Sequence, residues 1–364
     1  MTELLRTALH AEHVAAGATL TPFAGWQMPL RYGGDLHEHR AVRDHAGLFD
    51  LSHMAQIEVT GPQAGAALDG AVVSKPSALR PGRARYSAIV NADGGILDDL
   101  IVYRLADSEY LMIANAVNRV SVLDAVTVRS HGLSVSVVDR SPHRALIGLQ
   151  GPAAAGLLTP LTDTDIGTLG YYGATVATVA GIPALIARTG YTGEDGFELA
   201  VPAESATTLW RTLVAGPGGA TPAGLAARDT LRLEAGMALY GQELTSQTTP
   251  YDVGLGRLVD LEHEFIGRAA LRERSQSEDG TTLIGLAGTG RRAARAGCTV
   301  LDASSTSVGT VTSGVLSPTL GYPIAMARVL RSHQPATGEQ VGVDVRGTLQ
   351  EMTVTDLPFY RRSR

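Results

Sequence analysis

Two aspartates, Asp98 and Asp99, stand side by side in "VNADGGILDDLIVYRL", residues 90–105. An ionised carboxylate is costly to bury unless it is paired or hydrogen-bonded, and Leu97, Leu100, Ile101 and Val102 are poor company for two of them. The run reads as a strand, whose side chains alternate faces, so the two acids point to opposite sides and cannot work as a pair. Leu97, Ile101 and Tyr103 share the face of Asp99, and Ile96, Leu100 and Val102 share that of Asp98. Two readings are open. Either one face is partly solvated, or an arginine such as Arg83, Arg85 or Arg104 neutralises the acid; or one aspartate lines a cavity and holds a substrate amine, where burial would raise its pKa and suit acid–base work.

A second carboxylate sits in "GYTGEDGFELAV", where Glu194 and Asp195 fit an exposed turn and Glu198 falls inside a strand between Phe197 and Leu199. Strands mildly disfavour glutamate, so Glu198 either accepts two hydrogen bonds from a planar guanidine-like edge or faces water. "LAARDTLRLEAG" places Arg228, Asp229, Arg232 and Glu234 on a helix, with an ion-pair surface as the default reading. Arg228 near the helix start opposes the helix dipole and needs another reason to be there. His37, His39, His45 and His53 invite a metal reading, but their spacings of two, six and eight match no ligand frame. The Gly-rich "AGPGGATPAG" follows a helix rather than a strand, so it is no phosphate or dinucleotide loop.

Scarcity narrows the chemistry further. The chain has one cysteine, Cys298, and one lysine, Lys75. A single thiol excludes intrachain disulfides and Cys-rich zinc sites, and Lys75 lies in the Pro-flanked loop "VSKPSALRPG", a poor place for a desolvated nucleophile. Carboxylates, histidines, arginines, tyrosines and backbone must do the work. Net charge is −6 with no basic stripe, which argues against nucleic acid as a partner. Hydrophobic content of 44% with 18% charged residues, and a mean hydropathy of +0.07, describe a soluble globular protein. No apolar run reaches the roughly 18 residues of a membrane span, and the N-terminal segment carries acids unlike a targeting peptide, so a cytoplasmic protein without membrane contact is expected.

The 364 residues exceed a typical single domain. An internal echo divides the first part: "IEVTGPQAGAALDG" from Ile57 and "IGLQGPAAAGLLTP" from Ile147 each read strand, Gly-Pro, helix, with Pro placed just inside the helix start. Each is followed by a hairpin with a Gly- and Asp-rich turn, then by helical patterns. "RERSQSEDGTTLIG" from Arg272 reads as a linker, and beyond it short strands broken by Gly, Pro and Ser predict a small β barrel or sandwich.

Taken together, "FAGWQMPLRY", "EHRAVRDHAGLFDLSHM", "YSAIVNADGGILDDLIVYR", "LIGLQGP", "RTGYTGEDGFEL", "GLAARDTLRLEAGMALYGQEL", "FIGRAAL", "GTVTSGVLSPTLG" and "LPFYRR" resemble the T-proteins of glycine cleavage systems along nearly the whole chain. The resemblance implies an α+β, three-lobed folate-binding aminomethyltransferase fold: two related α/β units, one of residues 1–54 and 140–275 with the folate site and one of 55–139 inserted in it, plus a C-terminal β barrel of 281–364. It implies tetrahydrofolate as acceptor substrate, with no metal, flavin or pyridoxal phosphate. The implied partner is a lipoylated H-protein carrying the aminomethyl group. By position, Asp99 matches the essential aspartate near the folate amines, and Glu198 and Arg228 match residues that hold the pterin edge and neighbouring groups. Met54, Tyr86, Ile101, Asn115 and Tyr191 match positions lining the folate pocket, and Tyr360 resembles a C-terminal tyrosine that reaches back to the ligand. Relatives of this fold do other work: flavin-linked sarcosine and dimethylglycine oxidation, support of iron–sulfur assembly, folate-dependent demethylation. The second group carries Lys-Gly-Cys-Tyr where this chain has "ALYGQEL", and the aspartate and "GYTGEDG" signatures favour aminomethyl transfer over the third.

Overall fold

In a computed structural model of the chain, residues 3–215 and 218–362 are described. The chain divides into two compact units, one of Met1–Ala71, Lys75–Ser87 and Leu100–Asp229, the other of Val72–Ser74, Ala88–Asp99 and Thr230–Arg364. Among the described residues the first unit holds a six-stranded sheet in the order Ala174–Val179, Ile182–Ala187, Gly196–Pro202, Arg144–Gln150, Gly47–Asp50, Thr221–Pro222, parallel at its last pairing. A five-stranded sheet runs in the order Arg83–Val90, Ile96–Ala106, Glu109–Ala114, Ala55–Thr60, Ser136–Asp139. The hairpin around "GYTGEDG" forms as expected, with Ala187 opposite Glu198 and Leu185 opposite Ala200.

The repeated strand–Gly-Pro–helix pattern is present twice, as Ala55–Thr60 leading to the helix Ala64–Ala71 and Arg144–Gln150 leading to Ala154–Leu158. In both copies the proline occupies the turn before the helix, not its first position. The reason is the preceding glycine: Gly61 and Gly151 have φ of 127° and 134°, and this positive φ turns the chain before the helix begins. The helix Ala206–Ala215 precedes the Gly-rich run, of which Gly216 and Pro217 lie outside the described residues.

The C-terminal strands close into a barrel in the order Thr281–Gly288, Pro323–Leu330, Ser307–Leu316, Thr299–Leu301, Gln340–Val345, Thr348–Thr355. Its core is filled by alternate apolar residues such as Leu286, Val300, Val311, Ala327, Val343 and Val354, the period-two pattern that a barrel interior demands. The linker reading of the segment from Arg272 is corrected: Arg268–Gln276 is a helix. Its arginines and glutamate are good helix formers, and Leu271 anchors it in a core with Val90, Ile96 and Phe265. Only the residues after Gln276 lead as a loop into the barrel. No helix among the described residues is long and apolar enough to cross a membrane.

Candidate functional site

The strand Ile96–Ala106 resolves which aspartate is available. Asp98 is 0% exposed and Leu100 2%, whereas Leu97, Asp99 and Ile101 on the other face are half-buried. Asp98 is therefore enclosed rather than solvated, and Asp99 occupies the more open side. The turn that starts this strand is built by Asn91, whose Oδ1 accepts from the N–H groups of Asp93 and Gly95 at 3.0 and 2.8 Å. Gly95 is required there, because a Cβ would stand 1.9 Å from the Ser246 carbonyl oxygen. Tyr240 lies near both acids: burial raises its phenol pKa, and the charges of Asp98 and Asp99 raise it further. Arg104 is engaged elsewhere, donating to the carbonyls of Ser77 and Leu79 at 3.0 and 2.7 Å.

Glu198 is the centre of the first unit's polar chemistry. It is 8% exposed and lines a small, partly open cavity of about 10 Å³ with Tyr103, Leu111 and Ile113 from one sheet and Leu146, Leu185, Ala187 and Ala200 from the other. Burial raises its carboxyl pKa, opposed by the charge of Arg228 and by the hydrogen bond that the Tyr103 hydroxyl donates. Tyr103 is itself 1% exposed, and burial followed by the Glu198 charge pushes its phenol well above the ordinary range, so it stays a donor. Arg228 lies on the helix Leu225–Glu234 with its guanidinium 4.8 Å from the centre of the Tyr191 ring. Burial depresses its pKa, while Tyr191 and Glu198 act in the opposite sense. The need that the helix dipole left unexplained is met here: Arg228 serves the Glu198 carboxylate and the Tyr191 face.

The turn carrying Tyr191 is not the exposed one expected. Glu194 pairs with Arg43 at 2.8 Å, their side chains 4% and 6% exposed, and Arg188 grips both carboxylate oxygens of Asp195 at 2.9 and 2.6 Å. Folding the turn back against the sheet buries the Glu194 carboxylate, which therefore needs a cation, while Asp195 stays 23% exposed at the rim. The helical ion-pair surface is likewise corrected at its second half. Arg232 is 2% exposed and donates to Glu243 at 3.0 Å and to the Ser313 hydroxyl at 2.8 Å, and Glu234 accepts from Ser317 and Thr319.

Of the residues singled out from sequence, the structure brings Glu198, Arg228 and Tyr191 into one cluster. Met54, Tyr86, Ile101 and Asn115 belong to the same unit and are half-buried, Ile101 sitting opposite the cavity-lining Ile113. Asp99 and Tyr360 belong to the other unit, where the Tyr360 N–H donates to the Glu234 carbonyl at 2.8 Å. Lys75 is exposed. Among the described residues no group of three or more His, Cys, Asp and Glu side chains is arranged to hold a metal ion.

Three residues have roles that sequence reasoning did not give them, His53 having been singled out only for a metal reading. Tyr103 was visible only as a neighbour of Asp99. Asp50 is 4% exposed and accepts from Thr7 at 2.6 Å and from the Ser52 N–H at 2.9 Å, with His13 Nε2 at 2.8 Å. Burial works against the Asp50 carboxylate, yet these bonds, that of His13 foremost, hold its pKa below normal. The Asp-x-Ser spacing of an Asx turn was the available signal, and this turn sets the start of the segment that ends at Met54. His53 is 2% exposed, stacks edge-on against Phe23 at 5.6 Å, and leaves Nδ1 without a partner.

Burial, with help from Arg228 and against the pull of Asp50, lowers the His53 pKa from 6.5 to about 4. Between those values the unfolded chain binds a proton that the folded one refuses. Stability is therefore full above the unfolded pKa and falls as pH drops from about 6.5 through about 4, by up to roughly 3 kcal/mol. Urea unfolding across this window should show the loss, and His53→Phe should flatten it; an unchanged slope would contradict the assignment.

A family model described as the GCVT N-terminal domain matches residues 9–263, and one described as the glycine cleavage T-protein C-terminal barrel domain matches residues 282–361. The aminomethyltransferase of Streptomyces coelicolor is 55% identical over 371 residues, spanning 100% of this chain and 99% of that protein. That of Moorella thermoacetica is 44% identical over 367 residues and 100% of both. The crystal structure of glycine cleavage system aminomethyltransferase T from Bartonella henselae superposes with a TM-score of 0.91 at 38% identity, covering 98% of each chain.

Proposed function

The chain belongs to the glycine cleavage T-protein family, and from that premise we propose that it transfers a one-carbon unit from an aminomethyl-dihydrolipoyl H-protein to tetrahydrofolate. In the reaction the carbon loses its bonds to the amine and to the lipoyl sulfur, and gains two bonds to folate nitrogens. Ammonia, methylenetetrahydrofolate and the free dihydrolipoyl arm result. The observation that carries this reading is Glu198: a carboxylate buried between two sheets, steadied by Tyr103 and Arg228, is built to accept paired N–H donors from a flat heterocycle.

In this reading Asp99 is the acid–base group, Glu198 and Arg228 hold the pterin, and Tyr191 backs the Arg228 guanidinium. Met54, Tyr86, Ile101 and Asn115 line the pocket, and Tyr360 closes on the ligand from the C-terminal segment. Residues 1–54 with 140–275, 55–139, and 281–364 are the three lobes. The nucleophile is an amine of the acceptor and the sulfur belongs to the partner, so a chain with one exposed lysine and one cysteine lacks nothing for this chemistry. Positioning and one poised carboxylate suffice.

Calorimetric titration with tetrahydrofolate tests the assignment of Glu198. Glu198→Gln keeps the shape but loses the charge that strengthens each accepted bond, so Kd should rise roughly tenfold or more. Wild-type affinity in this variant would overturn the pterin-holding role.

A further inference from the structure

The side chain that shapes the Tyr191 turn from within is Gln150, the last residue of the strand Arg144–Gln150 and 3% exposed. Its Nε2 donates to the Thr189 carbonyl at 3.0 Å on one limb of the turn and to the Phe197 carbonyl at 3.4 Å on the other. Its Oε1 accepts from the Thr192 hydroxyl at 3.1 Å, and Thr192 is wholly buried. A single carboxamide thus ties both limbs and the apex. The turn makes room for it with glycine: a Cβ on Gly190 would stand 1.9 Å from Oε1, and one on Gly196 would stand 2.6 Å from Cδ.

We propose that Gln150 is a positioning residue for the reaction, acting through Tyr191: it fixes the turn so that the Tyr191 ring faces the Arg228 guanidinium. The ion pairs of Glu194 and Asp195 hold the rim of the turn from outside, and Gln150 holds its interior. A glutamate in its place would set a carboxylate against two carbonyl oxygens, and a leucine would take the side-chain donor from both carbonyls and the acceptor from the Thr192 hydroxyl, which would keep only the bond it accepts from the Glu194 N–H. The inference rests on the folate reading for its ligand and on the turn geometry for its mechanism.

The test is a double-mutant cycle on tetrahydrofolate affinity, combined with amide hydrogen exchange in the unliganded protein. Gln150→Leu should raise Kd about tenfold, speed exchange over residues 189–197, and cost little further affinity in a Tyr191→Ala background. Additive losses, or an unchanged Kd in the single variant, would overturn the proposal. Should Gln150→Leu fail to fold, Thr192→Val removes one bond to Oε1 and should weaken binding about threefold, again without further loss beside Tyr191→Ala; wild-type affinity would overturn it. If the wild-type protein does not bind tetrahydrofolate, the folate reading fails by itself. Exchange then decides Gln150 alone: acceleration confined to residues 189–197 supports the positioning role, and an unchanged pattern overturns it.

Discussion

Asp99→Asn is expected to lower turnover by roughly 100-fold or more, the usual contribution of a positioned acid–base group, while tetrahydrofolate affinity stays within about threefold. Asparagine matches the shape and removes the charge together with the proton traffic. The half-buried face that Asp99 shares with Leu97 and Ile101 tolerates the neutral amide, so the thermal midpoint should stay near that of the parent. Asp98→Asn is the informative contrast. Asp98 is fully enclosed, so altering it strains a buried polar arrangement and should show first in stability. Steady-state turnover, titration calorimetry and thermal melts on the two variants separate these outcomes. Unchanged turnover in Asp99→Asn with much weaker folate binding would reassign Asp99 from proton transfer to ligand holding.

The largest stability effect should come from Arg232. Replacing it with methionine leaves Glu243, 0% exposed, without its cation and with only the Ser313 hydroxyl at 2.6 Å and the Leu239 N–H at 2.9 Å as donors. Breaking one partner of a buried ion pair costs about 3–5 kcal/mol, a large part of a typical domain's stability. Pairing the change with Glu243→Leu removes the stranded charge, and urea unfolding should recover part of the loss. A single variant as stable as the parent would show that the pair contributes nothing.

The sequence carried much of this in its periodicities. The six barrel strands follow from alternation punctuated by Gly and Pro, and the opposite facing of Asp98 and Asp99 follows from the period of a strand alone. Which face was open did not, because both neighbourhoods read as apolar; the sheet had to form before Asp98 became the enclosed one. Arg232 reads as surface because helix spacing pairs it with Asp229, and Glu234 because it shares that helix, whereas their partners Glu243, Ser313, Ser317 and Thr319 come from distant parts of the chain. The same blindness hid the link between Glu198 and Tyr103, two strand residues of different sheets, and the link between Gln150 and a turn about 40 residues later. Arg228 was the exception, since its unfavourable place near a helix start marked it before any contact was known.

The most direct measurement is a coupled product assay: the protein, tetrahydrofolate and an aminomethyl-loaded lipoylated H-protein, with ammonia and methylenetetrahydrofolate both quantified. Equal amounts of the two products, dependent on all three components and lost in Asp99→Asn, are the predicted result. Tetrahydrofolate binding with no ammonia above the H-protein blank would contradict it and make the chain a folate-binding protein without transferase activity.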